Sequence, residues 1–394
     1  MAGRLVSKGR GALLAGGVAV SLAWLAMLKV EAGGGEGEED LYMMTVVSLI
    51  VVSSVMLGEA LKLAPPILEV IFGMVAGWMG AGIVEPLELL AVMGGSAVLF
   101  MAGLEVDVGL VREFLVESLA VGLAGFAASS LTVLAVLHVA YGMPLEAAAL
   151  VAVAVSTTGV AVVYTILKST GYFRSRAGQV VLASAMAADA ASIIAFMALI
   201  AKPSPALALY ILSVIAGPYA ARKALGWLPM LGHEAEVRII VSLLLASTLI
   251  SEVIGVHGVL ASFILGLALQ DFVDRPEVRG KVEGVVMGFL APAFFVVAGL
   301  EASSAEPRLV VLPALGLLAL SFPAKIVASG LMLRRLLGIA EPGLVVSLGA
   351  RLTVSTLIAY MGVKLGLISP LLGGAIMLSA ALATLMAGLL SRNA

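Results

Sequence analysis

Cysteine is absent from this chain of 394 residues, which excludes disulfide bonds, thiol catalysis and cysteine-ligated metals. Charged residues make up only 12% of the chain, whereas a typical soluble domain has about 25%. Hydrophobic residues make up 61%, and the mean hydropathy is +1.15. A composition this apolar predicts an all-α polytopic membrane protein, because a helix satisfies its own backbone polar groups within lipid.

Other scarce features narrow the possible functions. The formal net charge is −2, and no basic stretch with interleaved aromatic residues is present, so nucleic acid is not an expected partner. The three histidines, His138, His233 and His257, stand far apart, and no nucleophile arrangement or phosphate loop is found. We therefore expect neither an enzyme nor a cofactor. A single Asn and two Gln fit a thermophilic source, although compositional drift gives the same shortage.

Hydropathy divides the chain into fourteen candidate spans, since a helix needs about 20 mostly apolar residues to cross the hydrocarbon core. The spans lie near 11–30, 42–61, 65–84, 87–104, 115–141, 145–167, 176–201, 204–221, 237–254, 256–272, 282–300, 308–333, 342–365 and 369–391.

The distribution of lysine and arginine between alternate loops tests this number of spans, because cytoplasmic loops carry an excess of basic residues. With a cytoplasmic N-terminus, seventeen basic residues fall on the cytoplasmic side and four on the other, and only Lys325 and Arg351 lie within spans away from the span ends. The count thus predicts a multi-pass protein of the cell membrane with both termini in the cytoplasm. The first span also resembles a signal peptide. We expect a retained helix, and cleavage would not change the orientation of the later spans.

An internal repeat links the two halves of the sequence. "VLFMAGLEVD" (98–107) resembles "AFFVVAGLEAS" (293–303), and their glycines, Gly103 and Gly299, stand 196 positions apart. Such pairs are seven spans apart, an odd number, so the halves run in opposite senses through the bilayer. We predict an N-terminal helix and acidic loop (1–41), a first inverted repeat (42–201), a linking helix and loop (202–236) and a second repeat (237–394). Inverted repeats are typical of secondary transporters.

Small polar residues cluster at the centres of two spans that occupy equivalent places in the repeats, "AVSTTGVAV" (154–162) and "SLGARLTVST" (347–356). Such residues support locally unwound backbone, which membranes tolerate where it lines a cavity, and free carbonyls there would face a cation. Close helix packing is the alternative explanation of small residues. The shared position in both repeats favours two crossed, broken helices.

Asp189 is the acid at the midpoint of the seventh span, in "LASAMAADAASIIAFMAL" (182–199). Desolvation disfavours the charged form of a carboxyl group, so this acid is predicted to hold either a proton or a small cation, Na⁺ or K⁺, and to exchange one for the other. Ser156, Thr157 and Thr158 are the hydroxyls expected to assist it. A structural salt bridge from Asp189 to Arg351 is the alternative.

Several segments together resemble the monovalent cation/proton antiporter superfamily, over about residues 42–391. They are "PPILEVIFGMVAG" (65–77), with Leu68 where the family has glycine, "VSTTGVAVVYTIL" (155–167), "ISEVIGVHGVLASFILGLAL" (250–269), "LAPAFFVVAGLE" (290–301) and "GAR" (349–351).

This resemblance implies two six-helix bundles in inverted repeat, a scaffold that forms a homodimer, and ion binding at Asp189. It also implies that Arg351, with Thr353, Ser355 and Lys325, supports the helix crossing, although Lys325 could instead snorkel to the interface. Family members carry a polar residue before the ion-binding Asp, whereas this chain has Ala188. The lysine that pairs with that residue in electrogenic members is also missing, so the resemblance favours electroneutral exchange.

The sequence therefore predicts a membrane antiporter that exchanges Na⁺ or K⁺ for H⁺ by alternating access. Two other functions remain open at this point. A sodium-coupled organic-anion symporter would need further polar ligands and a roomier cavity. A cation channel would need a passive pore lined by carboxylates.

Overall fold

The fold consists of helices along the whole described chain. The computed structural model describes residues 2–28, 36–105, 110, 113–200, 212, 220, 223, 232–254, 258–273, 275–303, 306–338 and 341–393. Apart from residues 212, 220 and 223, the predicted eighth span (204–221) and the predicted linker up to residue 231 lie outside the described residues. The first-half helices are α1 Ala2–Met27, α2 Glu36–Leu61, α3 Pro65–Trp78, α4 Glu85–Glu105, α5 Leu115–Ala140, α6 Leu145–Ala154, α7 Val160–Ser169 and α8 Arg176–Ile200.

The second half repeats the order of helices α2 to α8. Its helices are α9 His233–Ile254, α10 Gly258–Val273, α11 Pro276–Ala302, α12 Pro307–Leu337, α13 Pro342–Ser347, α14 Thr353–Lys364 and α15 Pro370–Asn393. Two of the long helices contain a π-helical segment, at Val136–Ala140 in α5 and at Val286–Leu290 in α11.

Seven described helices, α2, α4, α5, α8, α11, α12 and α15, are long and apolar enough to cross a membrane. The two predicted spans with central polar clusters are each divided into two short helices instead, α6 with α7 and α13 with α14. Neither half reaches the roughly 20 residues of a full crossing. Each pair together has the length of one span, as the polar clusters predicted.

The N-terminal helix α1 lies along α2. Its Trp24 is 1% exposed, and the Trp24 ring centroid lies 5.8 Å from that of Phe72 in α3. Burying an aromatic ring of this size contributes substantially to packing. The first helix is thus an integral part of the helical assembly.

Two close helix contacts join the repeats, and glycine makes both possible. A Cβ on Gly103 of α4 would lie 3.0 Å from the Cα of Gly266 in α10 and would overlap the carbonyl oxygen of Phe263. In the equivalent contact, a Cβ on Gly299 of α11 would lie 3.0 Å from the Cα of Gly73 in α3. The glycine landmarks of the internal repeat therefore mark two matching places where helices of opposite repeats touch by their backbones.

We expect Gly103→Ala to destabilise the protein by about 1–3 kcal/mol, because the added methyl group forces two tightly packed helices apart. The measurement is thermal unfolding in detergent. Gly316→Ala on α12 is the matched control, since a Cβ there meets no atom within 4 Å and alanine favours helix. Equal melting temperatures for the two variants would contradict the contact.

Candidate functional site

The site lies where two unwound segments cross. Residues 155–159 separate α6 from α7, and residues 348–352 separate α13 from α14. The segments contact each other directly, since the backbone N–H of Gly159 donates to the carbonyl of Ala350 at 2.8 Å. A second link joins the halves where the Ser355 hydroxyl donates to the carbonyl of Ala154 at 2.6 Å. Each repeat thus completes part of the other's broken helix.

The carbonyls released at the end of α6 are bound by lysine. Lys325, on α12, is 1% exposed, and its ammonium donates to the carbonyls of Ser156 at 2.8 Å and Thr157 at 2.6 Å. It also donates to the Thr158 hydroxyl at 2.5 Å. A cation at the carbonyl end of a helix satisfies orphan acceptors and complements the helix dipole. The snorkelling alternative for Lys325 does not hold, because its charged end lies inside the protein.

Arg351 is fully buried in the second unwound segment. Its guanidinium donates to the carbonyl of Val155, to the Ser321 hydroxyl at 2.8 Å and to the Ser379 hydroxyl at 3.0 Å. Arg351, in the second repeat, therefore stabilises the helix crossing by binding the unwound segment of the first repeat. The structure shows no Asp189–Arg351 salt bridge among the described residues, and the two terminal nitrogens of the guanidinium bind these three groups instead.

Asp189 lies in the middle of α8 and is 7% exposed. Its Oδ1 atom is buried and has no hydrogen-bond partner among the described residues. The side chain lines a cavity of about 50 Å³ together with Thr157, Thr158 and Thr353. A cavity of this size holds one or a few water molecules, which is also the scale of a small cation.

The predicted hydroxyl groups divide into two sets. Thr157 and Thr158 line the cavity with Asp189, and the buried Thr157 hydroxyl has no partner among the described residues. Ser156 does not line the cavity, because its hydroxyl lies 2.7 Å from the carbonyl of Ala152 and 2.8 Å from the Ser129 hydroxyl. Thr353, expected to support the crossing, stands on the cavity wall.

The cavity also faces the N-terminal ends of two helices. Its wall includes the first residues of α7 and α14, Val160 and Thr353. Helix N-termini favour negative charge. Meanwhile the carbonyls of residues 155–157 are held by Lys325 and Arg351. The expectation of free carbonyls facing a cation is therefore wrong for these three groups, and the carboxyl group of Asp189 is left as an acidic group at the crossing.

Glu105 was not among the predicted site residues, yet it lines the same cavity as Asp189. It ends α4 in the sequence "AGLE", and a glutamate at the end of an apolar helix looks like an ordinary solvated residue. The repetition of that motif at 298–301 was the available signal.

Comparison with known proteins agrees with the helical fold. The family model for the transmembrane part of sodium/hydrogen exchangers matches residues 46–392. The probable Na(+)/H(+) antiporter 3 of Methanocaldococcus jannaschii is 26% identical over 334 residues, which cover 76% of this chain and 82% of that protein. The Na(+)/H(+)-K(+) antiporter GerN of Bacillus cereus is 26% identical over 277 residues, 65% of this chain and 70% of that protein.

A solved structure shows the same fold. The sodium proton antiporter MjNhaP1 of M. jannaschii at pH 8 matches with a TM-score of 0.65 and 14% identity, covering 90% of this chain and 99% of that one. The fold is thus that of a multi-pass membrane antiporter, and the predicted fold class is confirmed. The chain belongs to the sodium/hydrogen exchanger family, as the resemblance indicated.

Proposed function

We propose that this protein exchanges one monovalent cation, sodium in the first place and potassium in the second, for one proton at Asp189. The observation that carries the proposal is the buried Oδ1 atom of Asp189, which lacks a hydrogen-bond partner among the described residues. Asp189 lines a small cavity at the helix crossing together with Thr157, Thr158 and Thr353. The family and its named antiporters support the same reaction.

Competition for one carboxylate explains the exchange. An ionised carboxylate buried in a protein interior is costly unless it is neutralised. A proton on Asp189 neutralises it, and so does a cation held by Asp189 with the hydroxyl oxygens of Thr157 and Thr353 on the same cavity wall. Because the two occupants exclude each other, the binding of one releases the other. Movement of the occupied site between the two membrane faces then gives alternating access.

The charge balance favours an electroneutral cycle. Asp189 carries one proton in one direction and one monovalent cation in the other, so the occupied site has the same charge in both transits. Ala188, the preceding residue, is 1% exposed and brings no second titratable group. The basic residues of α11 stand at its beginning, at Arg279 and Lys281, away from the middle of the helix.

The distribution of Lys and Arg along the sequence indicates how the protein is oriented in the membrane. We propose that the end of the molecule with Glu105 and Arg279 faces the cytoplasm, that both termini lie on that side of the cell membrane, and that the protein works as a homodimer. In this orientation the cavity beside Asp189 has Glu105, on its wall, toward the cytoplasmic end.

Reconstitution in liposomes that contain a pH-sensitive dye tests the proposed function. Added sodium is expected to drive protons out of the wild-type protein's liposomes, with potassium and lithium as comparison ions. The rate is expected to stay the same when the membrane potential is clamped at different values. Proton movement without a cation requirement, or cation conductance without proton movement, would contradict the antiporter and indicate a channel. A requirement for an organic anion would indicate a symporter.

A further inference from the structure

Two glutamates occupy equivalent positions in the repeats. Glu105 ends α4 and Glu301 lies near the end of α11, each after Ala-Gly-Leu, and they stand 196 positions apart. The preceding glycines, Gly103 and Gly299, make the two matching backbone contacts between the repeats. The two carboxylates therefore follow equivalent helix contacts. Because the repeats are inverted, they lie at opposite ends of the molecule.

Glu105 faces the ion-binding cavity. It lines the same cavity as Asp189 and Thr157, whose buried oxygen atoms have no partner among the described residues. The carboxylates of Glu105 and Asp189 repel each other electrostatically. The positive charge of Arg279 attracts the Glu105 carboxylate, and the negative charge of Glu283 repels it. Two acids that share one cavity concentrate cations within it.

Glu301 instead forms an ion pair with a lysine. The Lys364 ammonium at the end of α14 lies 3.7 Å from a carboxylate oxygen of Glu301 and 2.8 Å from one of Glu88. The same ammonium stands 5.9 Å from the ring centroid of Tyr360. Lys364 thus occupies the place between two carboxylates that a mobile cation would take.

The repeat supplies the counterpart of this lysine at the other end. Tyr164 and Lys168 of α7 precede Tyr360 and Lys364 by the same 196 positions. Lys168 stands 5.8 Å from the centroid of the Tyr164 ring, and no salt bridge joins it to Glu105 within the described part of the chain. Of the two equivalent lysines, Lys364 therefore pairs with the glutamate of its end, whereas Lys168 does not.

We propose that Glu105 and Glu301 are the cation-relay residues of the two mouths of the path, each passing a monovalent cation between water and Asp189. This proposal rests on the proposed function. In this structure the mouth at Glu105 is open to the cavity, whereas Lys364 replaces the cation at Glu301. When the site faces the other side of the membrane, Lys168 pairs with Glu105, and Lys364 no longer pairs with Glu301.

The test measures exchange in proteoliposomes in which the protein has one orientation, with sodium supplied from either face. Glu105→Gln is expected to raise the KM for sodium about tenfold on the face of Glu105, the lower end of the effect of a charged cleft on local ion concentration. Its maximal rate at saturating sodium is expected to stay within about twofold of the wild type, because Asp189 remains. Glu301→Gln is expected to raise the KM on the other face.

Matched controls are Glu277→Gln and Glu146→Gln, two exposed acids that do not line the cavity, and both should leave each KM unchanged. A change in KM on both faces alike, or a lower maximal rate with an unchanged KM, would overturn the relay. Failure of the relay would leave wild-type exchange intact, whereas failure of the proposed function would show as no sodium-driven proton movement in the wild type.

Discussion

Asp189→Asn is expected to reduce cation-driven proton movement to the level of empty liposomes, a loss of at least about 100-fold. Asparagine has nearly the same shape, but its amide neither binds a proton in this pH range nor carries the charge that holds a cation. Loss of that interaction at a buried site is worth several kcal/mol, and each 1.4 kcal/mol is tenfold in affinity. The measurement is the fluorescence change of an internal pH-sensitive dye after sodium addition.

The same variant should fold as well as the wild type. The Oδ1 atom of Asp189 has no partner among the described residues, and removing an uncompensated buried charge does not destabilise a protein. Its melting temperature in detergent is therefore expected to equal or exceed that of the wild type. Glu117→Gln, a substitution of a more exposed acid, is the control for transport. Exchange that persists in Asp189→Asn would reject Asp189 as the binding site.

Lys325→Met should have the largest effect on stability. Methionine fills similar space without the ammonium, so the carbonyls of Ser156 and Thr157 and the hydroxyl of Thr158 all lose their donor. Each buried polar group left unsatisfied costs about 1–3 kcal/mol. We expect a destabilisation of about 2–5 kcal/mol, visible as a lower melting temperature by intrinsic fluorescence in detergent.

The control for this prediction is Arg335→Met on the same helix, where the arginine is exposed and its replacement should shift the melting temperature little. Should Lys325→Met and Arg335→Met melt together, the lysine would not be what holds the unwound segment. Exchange by Lys325→Met is also expected to fall, because the Thr157 and Thr158 wall of the cavity depends on the same contacts.

Hydropathy and small polar residues were sufficient to predict the described helices of each repeat and the two interruptions. The predicted spans at 145–167 and 342–365 are each broken inside the polar cluster, because serine, threonine and glycine tolerate an irregular backbone that longer apolar side chains do not. The place of Asp189 in the middle of α8 was also predictable, since the apolar run on either side of it sets its distance from the helix ends.

The partners of the buried cations were not predictable in the same way. Hydropathy gives the depth of a residue and not the direction in which its side chain points, so Lys325 had two open interpretations and Arg351 had a carboxylate as a candidate partner. In the structure both bind carbonyls of the first repeat. Glu105 was missed for the same reason, because its place beside Asp189 depends on how α4 turns its last residue inward.

The links across the helix crossing also constrain how the chain is made. The carbonyls at the end of α6 are satisfied by Lys325 and Arg351, which are synthesised more than 150 residues later. When the first half leaves the ribosome, its broken helix therefore has unpaired backbone groups that lipid does not satisfy. Biogenesis must shield this segment, by water or by an accessory protein, until the second half has been inserted.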